Sequence, residues 1–181
     1  MLNLVTGKSL SGKTTSMINI ALKHAENGKK VVFLHSNNSS IISKLWTLGI
    51  NPYNYTEILF ARYDNDINDI IRNMYKLSQE LIDVIFIDGI CYANDRMHIV
   101  QHMNEISKDY KNIDLYLENY EYDSCGINDN KSHQGNINII KCELDDNLRT
   151  ITYKKGNEEI VKLKGFFNKN IHYGNNTKIQ H

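Results

Sequence analysis

The sequence predicts an α/β domain built on a mainly parallel, twisted sheet. Three observations carry that expectation. Short apolar runs alternate with segments of helical period as far as residue 117, a glycine-rich phosphate-loop pattern follows the first apolar run, and a later apolar run ends in Asp88. Such alternation is the signature of a parallel sheet with helices on both faces, since each crossover returns along a helix.

Leu2 to Val5 is an apolar run that stops at Thr6-Gly7, as a buried strand would. From Lys13 to about Asn27, Met17, Ile18, Ala21, Leu22 and Ala25 recur at helical spacing, and Asn27-Gly28 is a natural helix stop. Val31 to Leu34 is continuously apolar, the pattern of a strand covered on both faces. A helix over Ser39 to Leu48 and a weaker strand over Ile58 to Ala61 follow. Ile67, Ile70, Ile71, Met74, Leu77 and Leu81 keep helical period and lead into the strand Val84-Ile85-Phe86-Ile87-Asp88. A helix from about Asp95 to Tyr110 and a strand over Ile113 to Leu117 complete the alternating series. Residues 120 to 136 are polar and without period, so a loop is expected there. Ile137 to Cys142, Leu148 to Tyr153 and Ile160 to Leu163 read as strands joined by short turns, antiparallel hairpins appended to the sheet. One domain over 1–165 with a polar tail over 166–181 is the expected organisation.

Composition narrows the function classes. With 181 residues, 41% hydrophobic and 23% charged, the chain has the make-up of a globular domain rather than a disordered one. No apolar run approaches the ~20 residues needed to span a bilayer, and the N-terminus lacks the layout of a signal peptide. A cytoplasmic protein without membrane contact is expected. Twenty-one Lys+Arg balance twenty-one Asp+Glu, which argues against an all-round polycation on nucleic acid. The balance is uneven along the chain: residues 1–130 carry twelve basic and sixteen acidic side chains, residues 131–181 nine and five. Cys91, Cys125 and Cys142 are odd in number and widely spaced, suggesting neither a disulfide framework nor a paired-cysteine metal site.

The strongest chemical signal is Gly7-Lys8-Ser9-Leu10-Ser11-Gly12-Lys13-Thr14, a full G-x-x-x-x-G-K-[ST] pattern followed by Thr15. Its context between an apolar strand and an amphipathic helix is what phosphate binding needs. Glycines let successive N–H groups point at phosphate oxygens, and the helix N-terminus adds a positive dipole end. Lys13 would neutralise the β- and γ-phosphates of ATP, and Thr14 would place its hydroxyl on Mg²⁺. Asp88, emerging at the carboxyl end of its strand, supplies the second metal contact.

The run Gly12-Lys13-Thr14-Thr15 through Asn19-Ile20-Ala21, then Asn27-Gly28-Lys29-Lys30-Val31-Val32-Phe33, resembles the RecA-like ATPase core, most of all that of DnaB-type replicative helicases and their KaiC- and RadA-like relatives. The resemblance covers nearly the whole chain, with the phosphate loop its specific part. It implies an ATP-driven motor in DNA replication or recombination, commonly a ring, acting on single-stranded DNA. The family's catalytic glutamate after the second strand would fall on Ser36-Asn37-Asn38. An asparagine orients water but cannot take its proton, and general-base help is worth roughly 10²–10⁴ in rate, so Asn38 implies weak hydrolysis. The family's polar sensor would fall on Asn119, with Glu118 beside it. Its trans-acting finger hairpin would fall on Ile151 to Gly156, where Lys154 and Lys155 stand. Two alternatives accompany this reading. One is a non-catalytic nucleotide-binding partner of a helicase. The other is a thymidine-type kinase, which the chain resembles in its first motif, though Gly89 follows Asp88 where those enzymes have a glutamate and the cysteines are unpaired. Tyr120 and Tyr122, at the start of the loop, are candidates for stacking on bases.

Overall fold

The computed structural model describes residues 1–36, 41–63, 82–90, 112–120, 137–145, 148–155 and 158–166, together with Met103, Glu105, Ser107 and Lys108. The expected helix over 67–81, most of the one over 95–110, the polar loop, Asn37, Asn38 and the tail after Phe166 lie outside these residues.

β1 (Leu2–Gly7) is buried along its whole length and sits inside the sheet. α1 (Lys13–Glu26) follows, turning its Met17, Ile18, Ala21 and Leu22 inward. Its last turn carries Lys23 and His24 against the negative dipole end. Gly28, at φ +75°, closes the helix through an N–H to the Ala25 carbonyl at 2.8 Å. Next come β2 (Val31–Ser36), α2 (Ile41–Thr47), a 3₁₀ turn over Pro52–Asn54, β3 (Ile58–Tyr63), β4 (Val84–Asp88) and β5 (Asp114–Tyr120). β6 (Ile137–Asp145), β7 (Leu148–Lys155) and β8 (Glu158–Phe166) end the series.

The eight strands form one sheet in the order β3-β2-β4-β5-β1-β6-β7-β8. The first six in that order are mutually parallel. The expected hairpins form: β6 pairs antiparallel with β7 and β7 with β8, while the other edge of β6 pairs parallel with β1. The parallel pairing with β1 needs a crossover from β5, and residues 121–136 are long enough to supply one. β5 also runs three residues beyond the expected Leu117, which carries Glu118 and Asn119 into the sheet.

Strand alternation sorts the core into two layers. Val5, Phe33, Phe86 and Ile140 face α1 and α2, while Leu4, Leu34, Ile87 and Leu117 form the opposite layer with Ile90 and the helical Met103. Beneath α1, Phe33, Phe86 and Tyr116 stack across β2, β4 and β5 at 5.5 and 4.4 Å between centroids.

Register at the amino edge is fixed by a polar lock. Asn3 Nδ2 donates to the Leu115 carbonyl at 3.1 Å, and Asn138 Nδ2 donates to Asn3 Oδ1 at 2.9 Å, both within the buried interior. These bonds tie β1 to β5 and β6 together, where a one-residue slip would exchange the two faces. Asn3→Ala leaves the Asn138 amide short of an acceptor and is expected to cost about 1–3 kcal/mol. The check is a urea midpoint that falls with an unchanged m-value.

Candidate functional site at the carboxyl edge of the sheet

Because six strands are parallel, their carboxyl ends meet at one edge, where ligands of open α/β folds bind. Gly7, Ser36, Asp88 and Glu118 all arrive there, from β1, β2, β4 and β5. β5 lies between β1 and β4. Val5 is in register with Glu118, Ile87 with Leu117, and Asp88 with His35, so Val5, Glu118, Asp88 and His35 form one row across the sheet. Glu118, two residues after Tyr116, faces α1 with it.

The glycine-rich loop leaves β1 through a tight bend. Gly7 has φ +147° and Gly12, the N-cap of α1, has φ +95°. A Cβ on Gly7 would run into the Cys142 carbonyl oxygen on β6 and into Ser11 Oγ, so only glycine lets the loop pass this close to β6. Leu10, between them, is a non-glycine residue at φ 63° with its side chain 82% exposed. Lys8 and Ser9 are exposed, Ser11 is buried, and Thr14 and Thr15 are half-buried at the start of α1.

Three charged side chains are packed beneath the loop. Lys13 Nζ donates to the Lys8 carbonyl at 2.9 Å and lies 3.5 Å from Glu118 Oε1, with both side chains under a tenth exposed. Glu118 Oε2 accepts the backbone N–H of Gly89 at 2.6 Å. Thr14 Oγ1 donates to Asp88 Oδ1 at 2.8 Å, joining the first turn of α1 to the end of β4 across 74 residues of sequence. Tyr63 Oη donates to the Asp88 carbonyl at 2.8 Å and holds the strand end from the opposite face. Burial raises the Asp88 carboxyl to about 6, and the negative charge of Glu118 pushes in the same direction. The hydrogen bond from Thr14 and the charges of Lys44 and Lys13 oppose the rise. Ser11 Oγ and Ser36 Oγ are buried without a hydrogen-bond partner among the described residues. Such hydroxyls are rare in a settled interior, and both lie at this edge.

Of the residues singled out in the sequence, Gly7 to Thr15 and Asp88 come together here. Asn38 lies outside the described residues. The backbone of Asn119 is in register with Thr6, one step further along β5 than Glu118. Lys154 and Lys155 fall elsewhere: Lys155 pairs with Asn138, itself level with Asn3 at the amino end of β1, away from Gly7. Glu118 is the site residue that sequence reasoning passed over as a mere neighbour of Asn119. The signal for it was the one that marked Asp88, a carboxylate closing an apolar strand.

No protein-family model matches the chain. It is 27% identical over 115 residues to the signal recognition particle receptor FtsY of Buchnera aphidicola subsp. Acyrthosiphon pisum (strain APS), a match that takes in 62% of this chain and 30% of that protein. The chain thus spans about a third of the length of this curated relative. Among solved structures it is similar to a KaiC-like protein from the hyperthermophilic archaeon Pyrococcus horikoshii OT3, with a TM-score of 0.66 and 15% identity over 90% of this chain and 84% of that one. The fold is therefore that of a RecA-like P-loop domain. Among the described residues no helix is long and apolar enough to cross a membrane.

Two predictions arise from this geometry. Asp88 is raised from 3.8 to about 6 on folding, so its protonated form stabilises the metal-free chain below pH 4 and that contribution is lost as the pH rises through 6. The difference corresponds to about 3 kcal/mol. Without Mg²⁺ or nucleotide, Asp88→Asn should melt above the wild type at pH 8, and the gap should close by pH 4 in thermal scans. Gly7→Ala must displace the Cys142 backbone, and a loss above about 2 kcal/mol is expected in the same assay.

Proposed function

We propose that the chain binds a nucleoside triphosphate with Mg²⁺ on the loop Gly7 to Thr14 and hydrolyses it, as a RecA-like ATPase serving DNA replication or recombination. The observation that carries this reading is the 2.8 Å bond between Thr14 and Asp88, beside the buried Lys13. It gathers two hard oxygen donors at the mouth of a helix N-terminus, the donor set that suits Mg²⁺.

In this reading the N–H groups of Lys8 to Thr15 cradle the phosphates, with the dipole of α1 behind them. Lys13 moves from the Lys8 carbonyl to the β- and γ-phosphates. Thr14 and Asp88 hold the metal, whose chemistry is to neutralise phosphate charge during transfer. ATP is preferred over GTP on the resemblance of the phosphate loop and its flanking segments to the RecA-like ATPase core. In this reading Asn119, next to Glu118 on β5, takes the sensor position that the resemblance implies.

The finer reading follows the DnaB-type resemblance. Residues 1–165 act as one domain, cytoplasmic, with 166–181 as a tail. Single-stranded DNA and a ring of identical subunits, or a helicase partner, are the expected associates. Lys154 and Lys155 lie too far along the sheet from Gly7 to serve their own loop, so a finger role for them operates only on a neighbouring subunit.

The test is nucleotide binding and phosphate release by wild type and Lys13→Ala, with and without single-stranded DNA, alongside mass by light scattering. Removing the lysine deletes a charge-assisted phosphate contact of about 1.5–3 kcal/mol, a loss of roughly 10- to 100-fold in affinity. A wild type that binds neither ATP nor GTP would overturn the reading. Turnover stimulated by DNA supports the replication role, and its absence removes that role while leaving nucleotide binding standing.

A further inference from the structure

Glu118 is a buried carboxylate whose charged partner, Lys13, belongs to the phosphate loop. Its strand is otherwise filled on the α1 side by Tyr116, and an apolar residue at 118 would continue that layer. Burying a carboxylate instead costs several kcal/mol unless it is paired. Its two oxygens are held differently. Oε2 takes the Gly89 N–H at 2.6 Å, a short and fixed bond, while Oε1 faces Lys13 Nζ at the longer 3.5 Å. Oε2 is therefore the anchor, and Oε1 is the oxygen free to change partners.

The partner it would lose is the one phosphate recruits. Lys13 has three donors and one of them reaches the Lys8 carbonyl of its own loop. When a triphosphate draws the ammonium toward its β- and γ-oxygens, Oε1 is left with unshared lone pairs beneath the loop. The other carboxylate, Asp88, is committed to Thr14.

We propose that Glu118 is the catalytic carboxylate of the hydrolytic step, held by Lys13 until phosphate takes the lysine away. The inference rests on the reading of the loop as a nucleotide site. The water oxygen bonds to the γ-phosphorus, and the bond from that phosphorus to the β–γ bridging oxygen breaks. The bridging oxygen keeps the electron pair as part of the diphosphate. The water proton passes to Glu118 Oε1 and then to solvent, giving nucleoside diphosphate, inorganic phosphate and one proton. This supplies from β5 the proton acceptor that Asn38 cannot supply, and it couples that acceptor to substrate, because Oε1 is released only when Lys13 has left.

The experiment uses the full chain with Mg²⁺ and a fluorescent ATP analogue for affinity, and phosphate release for turnover. For Glu118→Gln the expected result is affinity within about threefold of wild type or tighter, with turnover down by roughly 10²–10⁴. In Glu118→Ala, added formate should restore part of the lost turnover, a rescue that a packing role would not show. Glu118→Gln turnover within tenfold of wild type would overturn the proposal. So would loss of affinity together with turnover, or a wild type that binds ATP without releasing phosphate; in that last case the nucleotide site itself stands. A wild type that binds no nucleotide removes both.

Discussion

A lysine with 5% of its surface exposed has to find a negative charge, and in this fold the charge comes from the strand next door. The Lys13–Glu118 pair depends on β5 lying between β1 and β4, since only that order sets Glu118 under the loop and Asp88 one strand further on. It depends on β5 keeping regular register past Leu117, so that Glu118 points to the α1 side. It depends as well on Gly7 and Gly12, whose backbone angles let the loop fold down until Lys13 is covered. Removing either partner strands the other in a low-dielectric interior, which is costlier than never having placed the pair there.

Much of the fold was legible in the sequence because the strands are buried on both faces. Val31 to Leu34 and Val84 to Ile87 read as unbroken apolar runs, and the structure extends each by no more than two residues. Strand order was not legible. Nothing local in Leu115-Tyr116-Leu117 says that it inserts between β1 and β4, since order is settled by which crossovers leave right-handed helices on the correct face. The parallel pairing of β6 with β1 was not legible either. Short turns on its carboxyl side announce a hairpin with β7, and they say nothing about its other edge, where Ile140 is level with Val5.

At the site the loop and Asp88 were legible as motifs, whereas Glu118 needed geometry. In sequence it stands at the end of a strand beside a candidate sensor, 105 positions after Lys13. Only the register Val5–Glu118 brings it under the loop. Side-chain alternation then decides which of two adjacent residues faces α1, so two neighbours with similar polarity have separate places in the architecture. The remote placement of Lys154 and Lys155 has the same origin. Their nearness to the site would have required β7 to run parallel, and an antiparallel partner of β6 carries its carboxyl end back to the amino edge.

The buried polar groups divide by edge, and the division says what each edge is for. At the amino edge, Asn3 and Asn138 are satisfied, by one another and by the Leu115 carbonyl, and they fix register. At the carboxyl edge the books do not balance: Asp88 is pushed toward its neutral form, and two serine hydroxyls are buried without a hydrogen-bond partner among the described residues. An interior arranged for stability alone would replace such groups with apolar ones, since unsatisfied hydroxyls cost about 1–3 kcal/mol each. Ligand oxygens and a divalent cation at the loop would satisfy Asp88 and Ser11 together, so binding there stabilises the fold by whatever strain it relieves. The unbalanced edge is thus the edge at which a charged ligand contributes most. The Asn3 lock at the other end allows this, because it holds β1, β5 and β6 in register without relying on the charged cluster.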